Sequence, residues 1–79
     1  MLTLIFLGRL EDIAGGAEKQ VPAVGSIAEV IAALEPDLAA ALRQDRVRLA
    51  VNGALVSDRA GHTLRDGDEI AFLPPVSGG

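Results

Sequence analysis

The sequence predicts an α+β domain in which a mixed five-stranded sheet packs on one main helix, followed by an extended C-terminal tail. The first and last segments before the predicted tail, residues 2–7 and 69–73, are apolar and typical of strands. Between them, one segment repeats apolar residues at helical spacing, and an Asn52-Gly53 pair predicts a hairpin. At 79 residues and 49% hydrophobic composition, the chain forms one domain with enough apolar residues for a core.

The first quarter of the chain predicts two strands. Residues 2–7 are an almost unbroken apolar run, as expected of a strand buried within a sheet, and Gly8 ends it. Residues 9–14 predict a short helical turn. Residues 18–24 alternate weakly and include Pro22, which favours an edge strand because proline cannot donate to a neighbouring strand.

The strongest helix signal spans residues 26–34. Ser26 and Glu29 match a capping box, in which the serine hydroxyl accepts from the third amide of the helix and the glutamate reaches back. One apolar stripe at spacing i, i+3, i+4, i+7 follows: Ile27, Val30, Ile31 and Leu34. Pro36 interrupts this helix, and Asp37 is expected to cap a second short helix. The inner face of that second helix is Leu38, Ala41 and Leu42.

The second half predicts three more strands. Residues 47–51 alternate, Asn52-Gly53 forms the hairpin turn, and residues 54–56 return. Residues 64–68 form a turn into the final strand, 69–73. If the first strand is central and the last lies parallel beside it, joined through a right-handed crossover, the result is the β-grasp arrangement of ubiquitin. We expect this domain to span residues 1–73.

Residues 74–79 predict a flexible, extended tail that stands away from the body. Pro74 and Pro75 fix their own φ and favour extended backbone before them. The chain then stops at Gly78-Gly79, with no charged side chain after Glu69. Glycine has no Cβ, so two of them form a filament thin enough for a narrow channel. The terminal carboxylate of Gly79 is therefore the predicted working group.

Composition excludes several classes of function. The net charge is −4 and the seven basic residues are scattered, which argues against a nucleic-acid partner. No apolar run is long enough to predict a membrane span. The apolar start of the chain lacks a basic segment and a cleavage site, so we expect no signal peptide and a cytoplasmic location.

The side chains predict no active site in the chain itself. Cysteine is absent, so any sulfur that the protein carries must sit at the C-terminus. Ser57, Asp58 and His62 lie in one polar loop and are read as turn residues, and a lone histidine predicts no metal site. The chain also lacks the glycine-rich motifs that bind nucleotides.

The stretch from Leu64 to Gly79 resembles the end of the small, sulfur-carrying subunits of molybdopterin synthase, in the ubiquitin-like sulfur carrier family. The segments that support this resemblance over the rest of the chain are Phe6-Leu7-Gly8, Val51-Asn52-Gly53 and Leu55-Val56. The L-x-D-G-D-E part is shared with the thiamine-biosynthesis carrier, whereas P-P-V-S-G-G is the distinguishing ending. The chain departs from the family at Glu11-Asp12, where an Arg-Glu pair is common, and at Leu7 and Leu73, where aromatics are common.

The resemblance implies a two-stage chemistry within molybdenum cofactor biosynthesis. An E1-like enzyme adenylates the Gly79 carboxylate with ATP, and a sulfur donor converts the adenylate to a thiocarboxylate. The large subunit of the synthase, in a heterotetramer of two small and two large subunits, receives the tail. Sulfur then passes to cyclic pyranopterin monophosphate. The small subunit binds no cofactor of its own.

The resemblance also implies residue roles. Gly79 carries the sulfur and Gly78 gives a thin link. The residues expected to hold the tail extended and contact the channel are Pro74, Pro75, Val76 and Ser77. The candidates for an apolar docking surface on the sheet are Phe6, Leu7, Phe72 and Leu73. For Phe6 and Phe72, core and interface are both open, because neighbouring residues of a strand face opposite sides.

Three other functions are compatible with the same sequence. A carrier for thiamine or another thiolation pathway shares the activation chemistry and differs in its acceptor. A ubiquitin-like modifier would join Gly79 to lysines of target proteins. A plain β-grasp binding module would not use its terminal glycines.

Overall fold

The structure is a computed structural model that describes residues 1–75. Five strands and three helices make up this part of the chain. The strands are β1 (Leu2–Phe6), β2 (Glu18–Val21), β3 (Arg48–Val51), β4 (Ala54–Val56) and β5 (Glu69–Leu73). The helices are α1 (Arg9–Ala14), α2 (Ile27–Ala32) and α3 (Pro36–Leu42). Among the described residues, no helix has the length and apolar character needed to cross a membrane.

The strands form one sheet in the order β2-β1-β5-β3-β4. The first and last strands pair in parallel, from Thr3 opposite Glu69 to Phe6 opposite Phe72, and the other pairs are antiparallel. The predicted mixed five-stranded sheet and the parallel pairing are therefore confirmed. β2 lies at an edge, as Pro22 indicated, and ends just before that proline.

One face of the sheet carries the core. Alternate residues of the interior strands are almost fully buried on this face: Leu2, Leu4, Phe6, Leu49, Val51, Ile70 and Phe72. The rings of Phe6 and Phe72 stack across the parallel pair, with centroids 5.6 Å apart. Buried side chains of all three helices complete the core, so the helices cover the same face. The strict alternation follows from the pleat, which points successive side chains to opposite sides.

Helix α2 begins at the predicted cap. The backbone N–H of Glu29 donates to the hydroxyl oxygen of Ser26 at 3.1 Å. The glutamate differs from the expectation, because its carboxylate accepts from the Ser26 hydroxyl at 3.1 Å instead of reaching back to an amide. The predicted stripe from Ile27 to Leu34 is buried throughout, which confirms the orientation of the helix.

Helix α3 begins two residues earlier than predicted. Glu35 is the N-cap residue and Pro36 occupies the first turn, so the prediction that Asp37 caps this helix is wrong. Proline suits the first helical position, because the N–H that it lacks would have no partner inside the helix. Asp37 instead places a carboxylate in the first turn, where the positive end of the helix dipole stabilises it.

Truncating the α2 stripe should destabilise the whole domain. Ile31 is 4% exposed, so Ile31→Ala removes buried methyl groups and leaves a cavity, and we expect a loss of about 2–5 kcal/mol in the free energy of unfolding. Chemical denaturation measures this loss. The matched control is Ile13→Ala on α1, where the side chain is 45% exposed and the expected loss is under about 1 kcal/mol. Equal losses for the two variants would contradict the placement of Ile31 in the core.

Candidate functional site

The candidate site begins at the end of β5, where the chain leaves the sheet toward its C-terminus. The backbone N–H of Leu7 donates to the carbonyl oxygen of Phe72 at 3.1 Å, so the parallel pairing continues past the last residue of β1. Leu73, Pro74 and Pro75 follow and are half-buried. The predicted tail residues beyond them, Val76, Ser77, Gly78 and Gly79, lie outside the described residues. Their assigned roles therefore stay predictions.

Pro74 lies against the turn between β1 and α1. Gly8 forms this turn with φ 54° and serves as the N-cap residue of α1. A Cβ on Gly8 would lie 2.9 Å from Cγ of Pro74, which is closer than carbon atoms pack. The proline ring therefore occupies space that only a glycine leaves free. The expectation that the tail stands away from the body is wrong at Pro74, because a contact distant in sequence holds this residue.

The second face of the sheet is open. The strand registers align four outward residues in one row across β1, β5, β3 and β4: Ile5, Ala71, Ala50 and Leu55. Leu73 lies beside this row, opposite Arg48 of β3. Leu7 is 41% exposed and Leu55 is 70% exposed, although both are large and apolar. We call these residues, with Leu7 and Leu73, the open face.

The structure separates the four predicted interface candidates. Phe6 is 1% exposed and Phe72 is fully buried, so these two belong to the core and cannot line a surface. The interface interpretation is wrong for them, because their parity in β1 and β5 points them toward the helices. Leu7 and Leu73 have the opposite parity and lie on the open face.

Sequence reasoning missed the rest of the open face. The row through Ile5 and Ala71 depends on which residues lie opposite one another in neighbouring strands. Ile5 and Ala71 could have been assigned from alternation alone, since each precedes a residue that was itself a core candidate. Leu55 could not have been assigned in this way, because a strand of three residues is too short to show a reliable alternation of inward and outward side chains.

The L-x-D-G-D-E motif organises the entry into β5. The backbone N–H of Arg65 donates to Oδ2 of Asp68 at 2.9 Å, which closes a turn through Gly67. The side chain of Asn52 then joins this turn to the β3–β4 hairpin. Its amide donates to Oδ1 of Asp68 and its oxygen accepts from the N–H of Glu69, both at 2.9 Å. The motif therefore fixes where β5 begins.

These hydrogen bonds act on a carboxylate. Donation from the Asn52 side chain, followed by donation from the Arg65 backbone, lowers the pKa of Asp68 below its ordinary value of 3.8. The N-terminal ammonium group of Met1 pairs with Asp66 and lowers the pKa of that carboxyl as well. Asp66 is solvent-exposed and Asp68 is half-buried, and both belong to the turn instead of forming an acid–base pair.

The polar loop that contains Ser57, Asp58 and His62 consists of turns. Oδ1 of Asp58 accepts from the N–H of Gly61 at 3.1 Å, and the N–H of His62 donates to the carbonyl of Arg59. Arg59 anchors the loop by donating its guanidinium to the carbonyl oxygens of Leu42 and Val47. The interpretation as turn chemistry is confirmed for Asp58 and for the backbone of His62. Within residues 1–75, no cluster of three or more potential metal ligands occurs.

Comparisons with known proteins bear on this architecture. The ThiS family model matches residues 4–79. The molybdopterin synthase sulfur carrier subunit of Escherichia coli K12 is 36% identical over 83 aligned residues, which cover 100% of each chain. The resemblance inferred from residues 64–79 is thereby confirmed.

Two solved structures resemble the fold closely. SAMP1 from Haloferax volcanii has a TM-score of 0.77 and 25% identity, covering 99% of this chain and 98% of its own. In the complex of subunits 1 and 2 of the molybdopterin-converting factor from Helicobacter pylori, a chain matches with a TM-score of 0.68 and 22% identity, covering 99% of this chain and 97% of its own. These matches confirm the predicted β-grasp class, and the second supports the fold alone.

The hydrogen bond between the Asn52 side chain and the Asp68 carboxylate predicts a measurable change in the titration of Asp68. The folded pKa of Asp68 lies below its unfolded value, so this carboxylate stabilises the fold above about pH 4, and that contribution is lost as pH falls through the folded pKa. Asn52→Gly removes the side-chain amide that donates to Asp68, and glycine tolerates the φ of 52° observed at this position. We expect the titration midpoint of Asp68 to rise, as measured by carboxyl carbon NMR.

Asp66 is the internal control for this titration. Its pKa is lowered mainly by the N-terminal ammonium group and not by Asn52, so its midpoint should stay the same in the variant. An unchanged Asp68 midpoint, or equal changes at both carboxyls, would contradict the assigned cause.

Proposed function

We propose, because this chain belongs to the ThiS family, that it is the sulfur carrier subunit of a molybdopterin synthase and carries sulfur on Gly79. The observation that carries this proposal is the full-length match, at 36% identity, to the E. coli protein of that name. The paired prolines and double glycine at the end of the chain support the same function.

The first chemical stage activates the terminal carboxylate. The Gly79 carboxylate attacks the α-phosphate of ATP on an E1-like partner enzyme, and pyrophosphate leaves. The resulting acyl adenylate has AMP as a good leaving group, and sulfur delivered by a donor protein replaces it. The product is a thiocarboxylate. ATP is thus used by the partner, and this chain needs no cofactor of its own.

The second stage transfers the sulfur. A thiocarboxylate is a soft nucleophile that is ionised at neutral pH, so the carrier supplies the nucleophile for attack on cyclic pyranopterin monophosphate. The large subunit supplies the pocket and the acid–base groups. This division agrees with the described part of the chain, where Asp58 and the backbone of His62 make the hydrogen bonds of loop turns.

The geometry suits delivery into a partner. The interior position of β5, between β1 and β3, holds the last described residues firmly, and they leave the sheet beside the β1–α1 turn. The open face offers apolar side chains for docking, since exposed groups such as Leu7 and Leu55 would be buried against a second protein. The Helicobacter pylori complex of subunits 1 and 2 supports such a partner. We expect two small and two large subunits, acting in the cytoplasm.

A second candidate function is protein modification. It is favoured by the similarity to SAMP1 and by the name of a related structure, the Haloferax volcanii small archaeal modifier protein 1. A modifier would use the same adenylation of Gly79 but would form an isopeptide bond with a lysine. The two functions differ in the acceptor and share the activated tail.

Sulfur loading of the tail is directly measurable. The protein is incubated with the E1-like enzyme, ATP and a sulfur donor, and is then digested with trypsin. Cleavage after Arg65 releases residues 66–79, which contain Gly79 and no methionine. We expect this peptide to gain the mass difference between sulfur and oxygen. Because oxidation of Met1 adds nearly the same mass to the intact protein, the peptide resolves the ambiguity.

The control for sulfur loading lacks Gly78 and Gly79. It should show no mass gain and the same thermal unfolding as the full chain, because the removed residues follow the core. The carrier function would be contradicted if the wild-type peptide gained no sulfur while the same E1-like enzyme was active on another carrier. Persistent adenylation without sulfur, followed by conjugation to lysines, would favour the modifier.

If the open face docks on the large subunit, a substitution there should weaken binding to that subunit without unfolding the domain. Leu7→Glu places a charge among apolar side chains, so we expect the affinity for the large subunit to fall at least tenfold, or about 1.4 kcal/mol. Ile13→Glu on α1 is the matched control, since Ile13 is similarly exposed but lies off the sheet. Titration calorimetry measures both affinities, and thermal unfolding checks the fold. Equal affinities for both variants would contradict docking through the open face.

A further inference from the structure

We propose that Gly8 is a positioning residue for sulfur transfer: its missing side chain seats Pro74 and thereby sets the direction in which the tail leaves the body. The inference rests on the proposed function, because the direction of the tail matters only if Gly79 reacts. Gly8 lies near the other end of the sequence from the tail, and a glycine has no side chain that could react, so its role is positional.

The backbone at Gly8 is fixed from two sides. Before it, the N–H of Leu7 donates to Phe72 of the neighbouring strand at 3.1 Å. After it, the N–H of Glu11 donates to the carbonyl of Gly8 at 3.1 Å, in the first turn of α1. The turn therefore has little freedom to move away from a side chain placed between it and β5.

Pro74 is a rigid neighbour for this turn. Cγ of its ring would lie 2.9 Å from a Cβ on residue 8, and Cδ would lie at 3.8 Å. A flexible side chain could rotate away from such a contact, but a pyrrolidine ring is bonded to its own backbone and moves with it. A methyl group on residue 8 would thus displace the backbone of Pro74. Pro75 follows directly and would pass the displacement to the tail.

The consequence for chemistry is large because transfer depends on alignment. A misplacement of about 1 Å at the reacting atoms can reduce a rate by about a hundredfold. The open face would still dock, since Leu7, Leu73 and their neighbours remain in place. A change at Gly8 should therefore slow transfer within the complex while leaving the affinity for the partner nearly intact.

Gly15 provides the matched control on the same helix. It ends α1 with φ 79°, so an alanine there is also strained, but within residues 1–75 a Cβ would meet nothing closer than 4 Å. Both glycines need positive φ, and Gly8 alone of these two faces the tail. Comparing Gly8→Ala with Gly15→Ala separates the effect on the tail from general backbone strain.

The test measures single-turnover sulfur transfer from thiocarboxylated variants to the pterin precursor on the large subunit, at a temperature where each variant is folded. For Gly8→Ala we expect the transfer rate to fall at least about tenfold and the dissociation constant to change by less than about threefold. For Gly15→Ala we expect both to stay within about twofold of wild type. Equal transfer rates for the two variants would overturn the proposal.

A second variant identifies Pro74 as the cause. Pro74→Ala removes Cγ and the ring, so Gly8→Ala should slow transfer less in a Pro74→Ala background than in the wild-type background. An equal slowing in both backgrounds would overturn the proposal, because the loss would then come from strain at residue 8.

NMR of the wild-type protein tests the contact even if Gly8→Ala does not fold. A nuclear Overhauser effect between the Gly8 α-protons and the Pro74 ring protons is expected, and its absence would overturn the proposal. Failure of the wild-type chain to accept sulfur is a different result, because it would reject the proposed function while leaving the contact observed.

Discussion

The parallel pairing of β1 and β5 is the constraint on which the rest of this molecule depends. It joins the first strand of the chain to the last, and it places Phe6 against Phe72 in the centre of the core. Burial of two such rings contributes on the order of 2–3 kcal/mol each. A parallel neighbour requires a crossover, and the residues between the strands supply the helices that cover one face of the sheet. The same pairing determines the edge of the molecule at which the chain leaves the sheet.

The sheet separates stability from recognition by the parity of its residues. Along β1, Leu4 and Phe6 face the helices, whereas Ile5 and Leu7 face outward. A substitution at an inward-facing position of the strand therefore affects stability, whereas one at the next position affects recognition. The proposed reacting group is on the last residue of the chain and follows β5 in sequence, so its chemistry places few demands on the core. Such an arrangement lets a small domain combine a stable body with a group that another protein activates and uses.

Local patterns in the sequence predicted most of the fold. The bounds of β5, the Asn52-Gly53 hairpin and the α2 stripe depend on neighbouring residues, and all three are as predicted. The predicted cap of α3 was wrong because Asp37 and Pro36 both suit the start of a helix, and in this chain Pro36 occupies the first turn. The contact of Pro74 with Gly8 could not be predicted, since it joins residues near opposite ends of the chain and depends on the register of β1 with β5. For Phe6 and Phe72, the structure alone shows which parity of β1 and β5 faces the helices, and that face makes them core residues.

The proposed delivery of sulfur from this chain to a pterin is tested most directly by a labelling experiment. Gly79 is loaded with isotopically labelled sulfur, and only the large subunit and cyclic pyranopterin monophosphate are added. We expect the label to move into the dithiolene of the pterin and the carrier to return to its carboxylate form, with two loaded carriers used for each product. Label that stays on the carrier, or a carrier that becomes joined to lysines of another protein without labelling the pterin, would contradict it.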